Sequence, residues 1–128
     1  MHEIFRIQKD PERAKALIKA AKQRFIELDN IRNLVSGSRI IEFYYDIIKE
    51  LILALMYKDG YKTLSHVAMI EYLRVNSSYF GDGDIALIDS LRRKRNDISY
   101  YGKTISSSFL FQKEDQIRQL ICNFLETL

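Results

Sequence analysis

The sequence predicts an all-α fold, an antiparallel four-helix bundle with one additional short helix. Three observations carry this. Apolar residues recur at spacings of three and four through most of the chain. No run shows the strict alternation of a half-buried strand. Polar or glycine-bearing breaks at residues 36–38, 58–60, 76–83 and 103–108 leave five helical segments. Short connections make consecutive helices antiparallel neighbours. The chain has 128 residues, enough for one domain (1–128) with a real core. Its 47% hydrophobic and 29% charged content excludes disordered and collagen-like classes.

The first helix opens at Asp10, Pro11 and Glu12: a side-chain acceptor at the cap, a preset φ at the first helical position, and an acid in the first turn. Ala14, Leu17, Ile18, Ala21, Phe25 and Leu28 form its apolar stripe, which reaches to about Val35 before Ser36, Gly37 and Ser38 break it. The second helix, Arg39 to about Tyr57, is apolar nearly all round and therefore buried on several sides. Its narrow polar line, Arg39, Glu42, Asp46, Lys49 and Glu50, is expected to face solvent. The alternative is that Glu42 or Asp46 turns toward a cation on a later helix. Gly60 ends this helix.

A third helix is predicted from Leu64 to Arg74, with Thr63 as cap and Val67, Ile70 and Leu73 inward. His66 in its first turn has no Cys, second His or acid at ligand spacing, which assigns it surface or cap duty; His2 belongs to a loose terminus. Tyr79 and Phe80 are expected to pin the loop before the fourth helix. The Gly81–Asp84 turn lacks the acidic ladder of a calcium loop and reads as a turn and cap. The fourth helix carries Ile85 to Ile98 and ends near Gly102. The last runs from Phe109 to Leu128, with Ser106, Ser107 and Ser108 offering the cap and Leu110, Ile117, Ile121, Phe124 and Leu128 inward. Cys122, the single cysteine, sits among Leu120, Ile121 and Phe124 and is expected in the core; it excludes an intrachain disulfide and suits a reducing compartment.

No phosphate-binding glycine loop and no zinc spacing occurs, so neither metal nor cofactor is expected. The charged start does not read as a signal peptide, and no apolar run approaches the ~20 residues of a membrane span, which points to a cytoplasmic protein without a membrane partner. A net charge of +3 leans only weakly toward anionic partners, but Arg92, Arg93, Lys94 and Arg95 are consecutive and concentrate positive potential on one helix.

The stretch Leu91–Gly102, LRRKRNDISYYG, is the least ordinary in the chain. On a helical wheel Arg95 falls among Leu87, Ile88, Leu91 and Ile98 and so points toward the packed side, while Arg93 and Asp97 face water. A guanidinium so placed either pairs with a carboxylate on a neighbouring helix or lines a crevice that receives phosphate. Tyr100 and Tyr101 add rings that can stack on bases or anchor a protein interface.

The aromatic second helix (SRIIEFYYDIIKELILALMYKDG with its flanks), the segment from Gly60 through Thr63 to His66, and above all Arg95–Asn96 resemble the HEPN family of small helical prokaryotic toxin, antitoxin and nucleotide-associated proteins; the likeness spans Ala14 to Leu128. In HEPN ribonucleases an Arg is followed by a polar residue, often Asn, and a short interval later by a His. Two copies meet in a symmetric dimer and cut RNA without metal. Arg95 and Asn96 match the first two positions, but the third falls at Tyr100, Tyr101 or Gly102, none of which is His. A phenol with a pKa of about 10 is a poor proton acceptor at neutral pH. The resemblance therefore implies a non-catalytic homodimer that binds RNA, a nucleotide, or a partner protein such as a minimal nucleotidyltransferase. Its binding residues would be Arg92, Arg95, Asn96, Tyr100 and Tyr101, with Glu42 and Asp46 as polar partners. The alternative is a metal-independent, toxin-like ribonuclease with altered residues, its degenerate candidates Arg95 and Tyr100.

Overall fold

The computed structural model describes residues 3–76 and 78–128. Five helices, α1 (Pro11–Ile31), α2 (Gly37–Asp59), α3 (His66–Asn76), α4 (Asp82–Tyr101) and α5 (Ser107–Thr127), carry most of the chain. Local chemistry sets their ends. Asp10 Oδ1 accepts from the Arg13 amide (3.0 Å) ahead of Pro11, and Ser36 Oγ accepts from the Arg39 amide (3.3 Å). Ser106 Oγ accepts from the Ser108 amide (3.3 Å). Two glycines in the left-handed region, Gly60 (φ +93°) and Gly102 (φ +63°), stop α2 and α4. After α1 a short 3₁₀ turn, Arg32–Leu34, reverses the chain.

The second helix is the hub. It packs along α1 and also meets α3, α4 and α5. Ile41, Tyr44, Tyr45, Ile47, Ile48, Leu51 and Met56 are all fully buried, which explains why its sequence is apolar nearly all round. At about 1.5–3 kcal/mol for each large side chain removed from water, this helix supplies a major share of the hydrophobic driving force. Leu28 of α1, Leu73 of α3, Ile88 and Leu91 of α4, and Ile117, Ile121 and Phe124 of α5 complete one continuous core.

Several features differ from the sequence reading. A two-stranded antiparallel ribbon is present: β1 (Ile4–Arg6) pairs with β2 (Tyr61–Thr63) in the register Ile4↔Thr63, Phe5↔Lys62 and Arg6↔Tyr61. Strands of three residues are too short to display alternation. The third helix begins at His66, not Leu64, because Ser65 caps it: Ser65 Oγ accepts from the Ala68 amide (3.1 Å). Thr63 instead ends β2, donating to the Glu3 carbonyl (2.6 Å) and accepting from the Ser65 amide (3.1 Å). Val67, about 120° from Leu73 around the helix, is 57% exposed, while Ile70 and Leu73 are buried.

Cys122 is exposed. The inward stripe of α5 is Ile117, Leu120, Ile121 and Phe124, and the residue after Ile121 is rotated about 100° off it. Phe80 is buried against the Phe124 ring (4.2 Å), whereas the Tyr79 ring is largely exposed. Of the polar line of α2 only Arg39 is exposed; the rest is drawn in from solvent. Glu42, Asp46 and Lys49 are half-buried, and Glu50, at 8% exposure, is buried with Arg24 of α1 as its ion-pair partner. The expectation for His2 lies outside the described residues.

Candidate functional site

The four consecutive cations of α4 have different fates. Arg92 and Arg93 share one carboxylate: Arg92 Nε lies 2.9 Å from Asp89 Oδ1, and Arg93 Nη2 lies 3.0 Å from Asp89 Oδ2, the i,i+3 and i,i+4 pairs that a helix permits. Lys94 sits 4.5 Å above the Phe109 ring of α5. Arg95 alone among the three arginines has no carboxylate within ion-pair distance among the described residues. Its contact is a long 3.4 Å bond from Nη1 to the Tyr100 hydroxyl, with the guanidinium 5.7 Å from that ring's centre. The side chain, which the wheel pointed toward the packed side, is half-buried.

Neither polar residue considered as a partner of Arg95 reaches it. Glu42 forms an ion pair with Arg39 and accepts from Ser99 Oγ of α4 (3.0 Å). Asp46 lies 3.7 Å from Lys49 Nζ. Asn96 is half-buried beside Arg95. Tyr100 and Tyr101 project from the last turn of α4, 71% and 73% exposed, and Lys103 Nζ lies 5.9 Å from the Tyr101 ring centre. This end of α4 thus offers two exposed rings and a guanidinium with unused donors, a combination suited to a phosphate with an attached base.

The residue the sequence reading missed is His66. The first residue of α3 is neither a cap nor free at the surface; it is half-buried against α2. The hydroxyl of Tyr45, itself fully buried, lies 2.8 Å from His66 Nδ1, and the two rings stack at 5.6 Å and 23°. Burial pushes the Tyr45 phenol well above its ordinary pKa, so it stays protonated, and its hydroxyl donates to or accepts from Nδ1 according to the tautomer of the ring. Burial, and after it the charges of Lys49, Arg95 and Arg92, hold the imidazole below its usual pKa, with Asp46 opposing. A helical wheel could not show this, because the neighbours come from two other helices.

No family model, curated protein or solved structure matches this chain. Chemistry at the sites is therefore read from the residues themselves.

A second polar cluster is structural in character. Glu114 of α5 forms a two-pronged ion pair with Arg32 (Nε to Oε2, 2.7 Å) and accepts from the Tyr44 hydroxyl (2.5 Å). The Arg118 guanidinium donates to Tyr44 Oη (3.3 Å), pairs with Asp29 (2.9 Å) and lies over the Phe25 ring (4.6 Å). Hydrogen bonds from Arg32 hold the Glu114 carboxyl below the usual range, and burial pushes the Tyr44 phenol up to about 12. This network borders a cleft of about 780 Å³, which Arg32, Val35, Ile40, Leu110 and Phe111 help to line; no residue of 91–102 contributes to it. Arg32, Glu114, Arg118 and Asp29 are paired with one another across this network.

Among the described residues no group of His, Cys, Asp and Glu is arranged to hold a metal ion, and no helix is long and apolar enough to cross a membrane.

Proposed function

We propose that the chain is a HEPN-like helical module that binds a phosphate-bearing ligand, RNA or a nucleotide, at the carboxyl-terminal half of α4, and does so without cleaving it. One observation carries the reading. In a run of four cations, Arg95 is half-buried yet lacks a carboxylate, while its two arginine neighbours share Asp89. A half-buried guanidinium whose one acceptor among the described residues is a distant phenol retains strong donors for a planar or tetrahedral anion. Tyr100 and Tyr101 supply stacking surface beside it. The same two rings furnish an exposed aromatic face for a second copy, so that two 91–102 segments would flank one basic cleft in a homodimer.

The deciding comparison is Arg95→Ala against Arg93→Ala, measured with labelled RNA and with 5′-AMP. A charge-assisted contact to phosphate is worth about 1.5–3 kcal/mol, roughly a 10- to 150-fold loss for Arg95→Ala. Arg93 is exposed and already held by Asp89, so its removal costs less than about threefold. Equal losses would reduce the cluster to general surface charge. Incubating RNA with the protein in EDTA addresses cleavage: intact RNA agrees with a binding module, and cleavage abolished by Arg95→Ala would replace this reading with the ribonuclease one. A partner protein rather than nucleic acid is indicated if neither probe binds and sedimentation shows a stable monomer.

A further inference from the structure

We propose that the hollow between the β1–β2 ribbon and the end of α2 binds a small amphiphilic carboxylate, a medium-chain monocarboxylic acid whose chain lies on Phe5 and Leu64 and whose head meets Lys62. None of its residues belongs to 91–102, so it stands apart from the Arg95 reading.

Backbone bonds place the walls. The Ile7 amide donates to the Gly60 carbonyl and the Asp10 amide to the Tyr57 carbonyl, both at 2.9 Å, which stitches the chain after β1 onto the last turn of α2. Gly60 permits this approach, since an added Cβ would lie 3.0 Å from the Ile7 carbonyl oxygen. One face of the ribbon is anchored: Ile4 is half-buried, and the Tyr61 ring meets that of Tyr72 in α3 at 5.5 Å. Alternation along the strands sends Phe5 and Lys62, partners in the register, to the opposite face. There Phe5 is exposed, and Leu64, just after β2, is 97% exposed.

Phe5, Tyr57, Lys62, Thr63 and Leu64 line a hollow of about 250 Å³. A second hollow, about 310 Å³, shares Phe5 and Leu64 and adds Glu3 and Ser65. Two large apolar side chains are common to both, and covering them from water is the driving force on offer to a ligand. At about 30 Å³ for a group the size of water, the first hollow holds roughly eight such groups, the length of a medium-chain acid.

The polar inventory selects the head group. The Thr63 hydroxyl is occupied by the Glu3 carbonyl and the Ser65 amide. The Lys62 ammonium and the Tyr57 hydroxyl have no hydrogen bond or ion pair among the described residues. Both can donate, and no carboxylate lines this hollow. Arg13 lies over the Tyr57 ring, 4.8 Å from its centre, and adds positive potential near it. One ammonium and one phenol match a single carboxylate, whereas a phosphate dianion asks for more charge than one lining cation supplies. Glu3 at the second hollow opposes a further negative charge, so the ligand is a monoacid with its tail on that side.

The test is isothermal titration of the full chain with octanoate, 1-octanol, octanedioate and a short peptide ending in a free leucine carboxylate, with NMR shifts to locate the contact. Octanoate is expected to bind once per chain and to shift Phe5, Tyr57, Lys62 and Leu64, with octanol and octanedioate about tenfold weaker. Lys62→Gln is expected to weaken octanoate about tenfold, the worth of a charge-assisted hydrogen bond, and Lys62→Arg to restore it. Lys58 is exposed in the last turn of α2 but does not line the hollow, and Lys58→Gln changes affinity less than about threefold. Both lysines are exposed, so neither variant threatens the fold. Absence of binding at millimolar octanoate, shifts that fall elsewhere, octanol or octanedioate binding as tightly as octanoate, or equal losses from the two lysine variants each overturns the proposal. A peptide that binds about tenfold more tightly than octanoate replaces the free acid with a chain terminus, and a dimer that protects Phe5 and Leu64 against octanoate gives this face to a second copy; either result overturns the choice of ligand.

Discussion

Replacing Glu114 tests whether the Arg32–Glu114–Tyr44 cluster is a stabilising hub. Glu114→Ala removes the two-pronged partner of Arg32 and the acceptor of the Tyr44 hydroxyl in one step. Arg32 is more than a third exposed, so losing its ion pair is worth only about 0–1 kcal/mol after solvent screening. The Tyr44 hydroxyl is the costlier loss. The residue is fully buried, and stripping a buried donor of its charged acceptor costs roughly 1–3 kcal/mol, softened here because Tyr44 Oη still accepts from Arg118. The sum is about 1–3 kcal/mol. For a domain of this size that lowers Tm by roughly 3–12 °C, measured by circular dichroism at pH 7.

Glu114→Gln keeps an acceptor for Tyr44 but loses the charge, and falls between wild type and Glu114→Ala. Acid adds an independent check. The folded carboxyl titrates below its unfolded value, so its contribution is complete above the unfolded pKa and disappears as pH falls through the folded one. The gap between wild type and Glu114→Gln therefore narrows on acidification. A Glu114→Ala protein within about 0.5 kcal/mol of wild type at pH 7, or a gap that widens in acid, would refute the hub.

The remaining stability predictions concern α2. Glu50 is buried with its Oε2 lacking any hydrogen-bond partner, and burial raises its pKa, so Glu50→Leu is expected to be neutral or stabilising by about 1 kcal/mol in urea denaturation. A clear loss of stability would show that the Arg24 pair outweighs the desolvation. At Gly60 an added Cβ would lie 3.0 Å from the Ile7 carbonyl oxygen at a φ of +93°. Gly60→Ala should therefore lose about 1–2 kcal/mol from the left-handed backbone alone, and more from the contact. An unchanged thermal midpoint would contradict the required backbone geometry.

Helices were legible because each carries its signals within a few residues. Asp10 and Pro11, Ser36, Gly60, Ser106 and Gly102 act as caps or stops where their chemistry says they should. The wheel likewise sent Arg93 to water, where it is exposed, while Arg95, pointed toward the packed side, and Asp97, sent to water, are both half-buried. What stayed hidden depends on partners distant in sequence. Thr63 looked like a cap because nothing local reveals that Glu3 would claim its hydroxyl, a contact spanning 60 residues. Cys122 was judged by its chain neighbours rather than by its angle on α5. Glu50 was assigned to solvent because Arg24 lies on another helix, and His66 was set aside because ligand spacing was sought along the chain, whereas Tyr45 meets it through space.

The three-residue ribbon between β1 and β2 ties an amino-terminal strand to the front of α3 by few bonds across a long loop, the kind of closure that opens early when a protein breathes. Fast amide exchange at Ile4–Arg6, running ahead of the amides of α2, would report that opening.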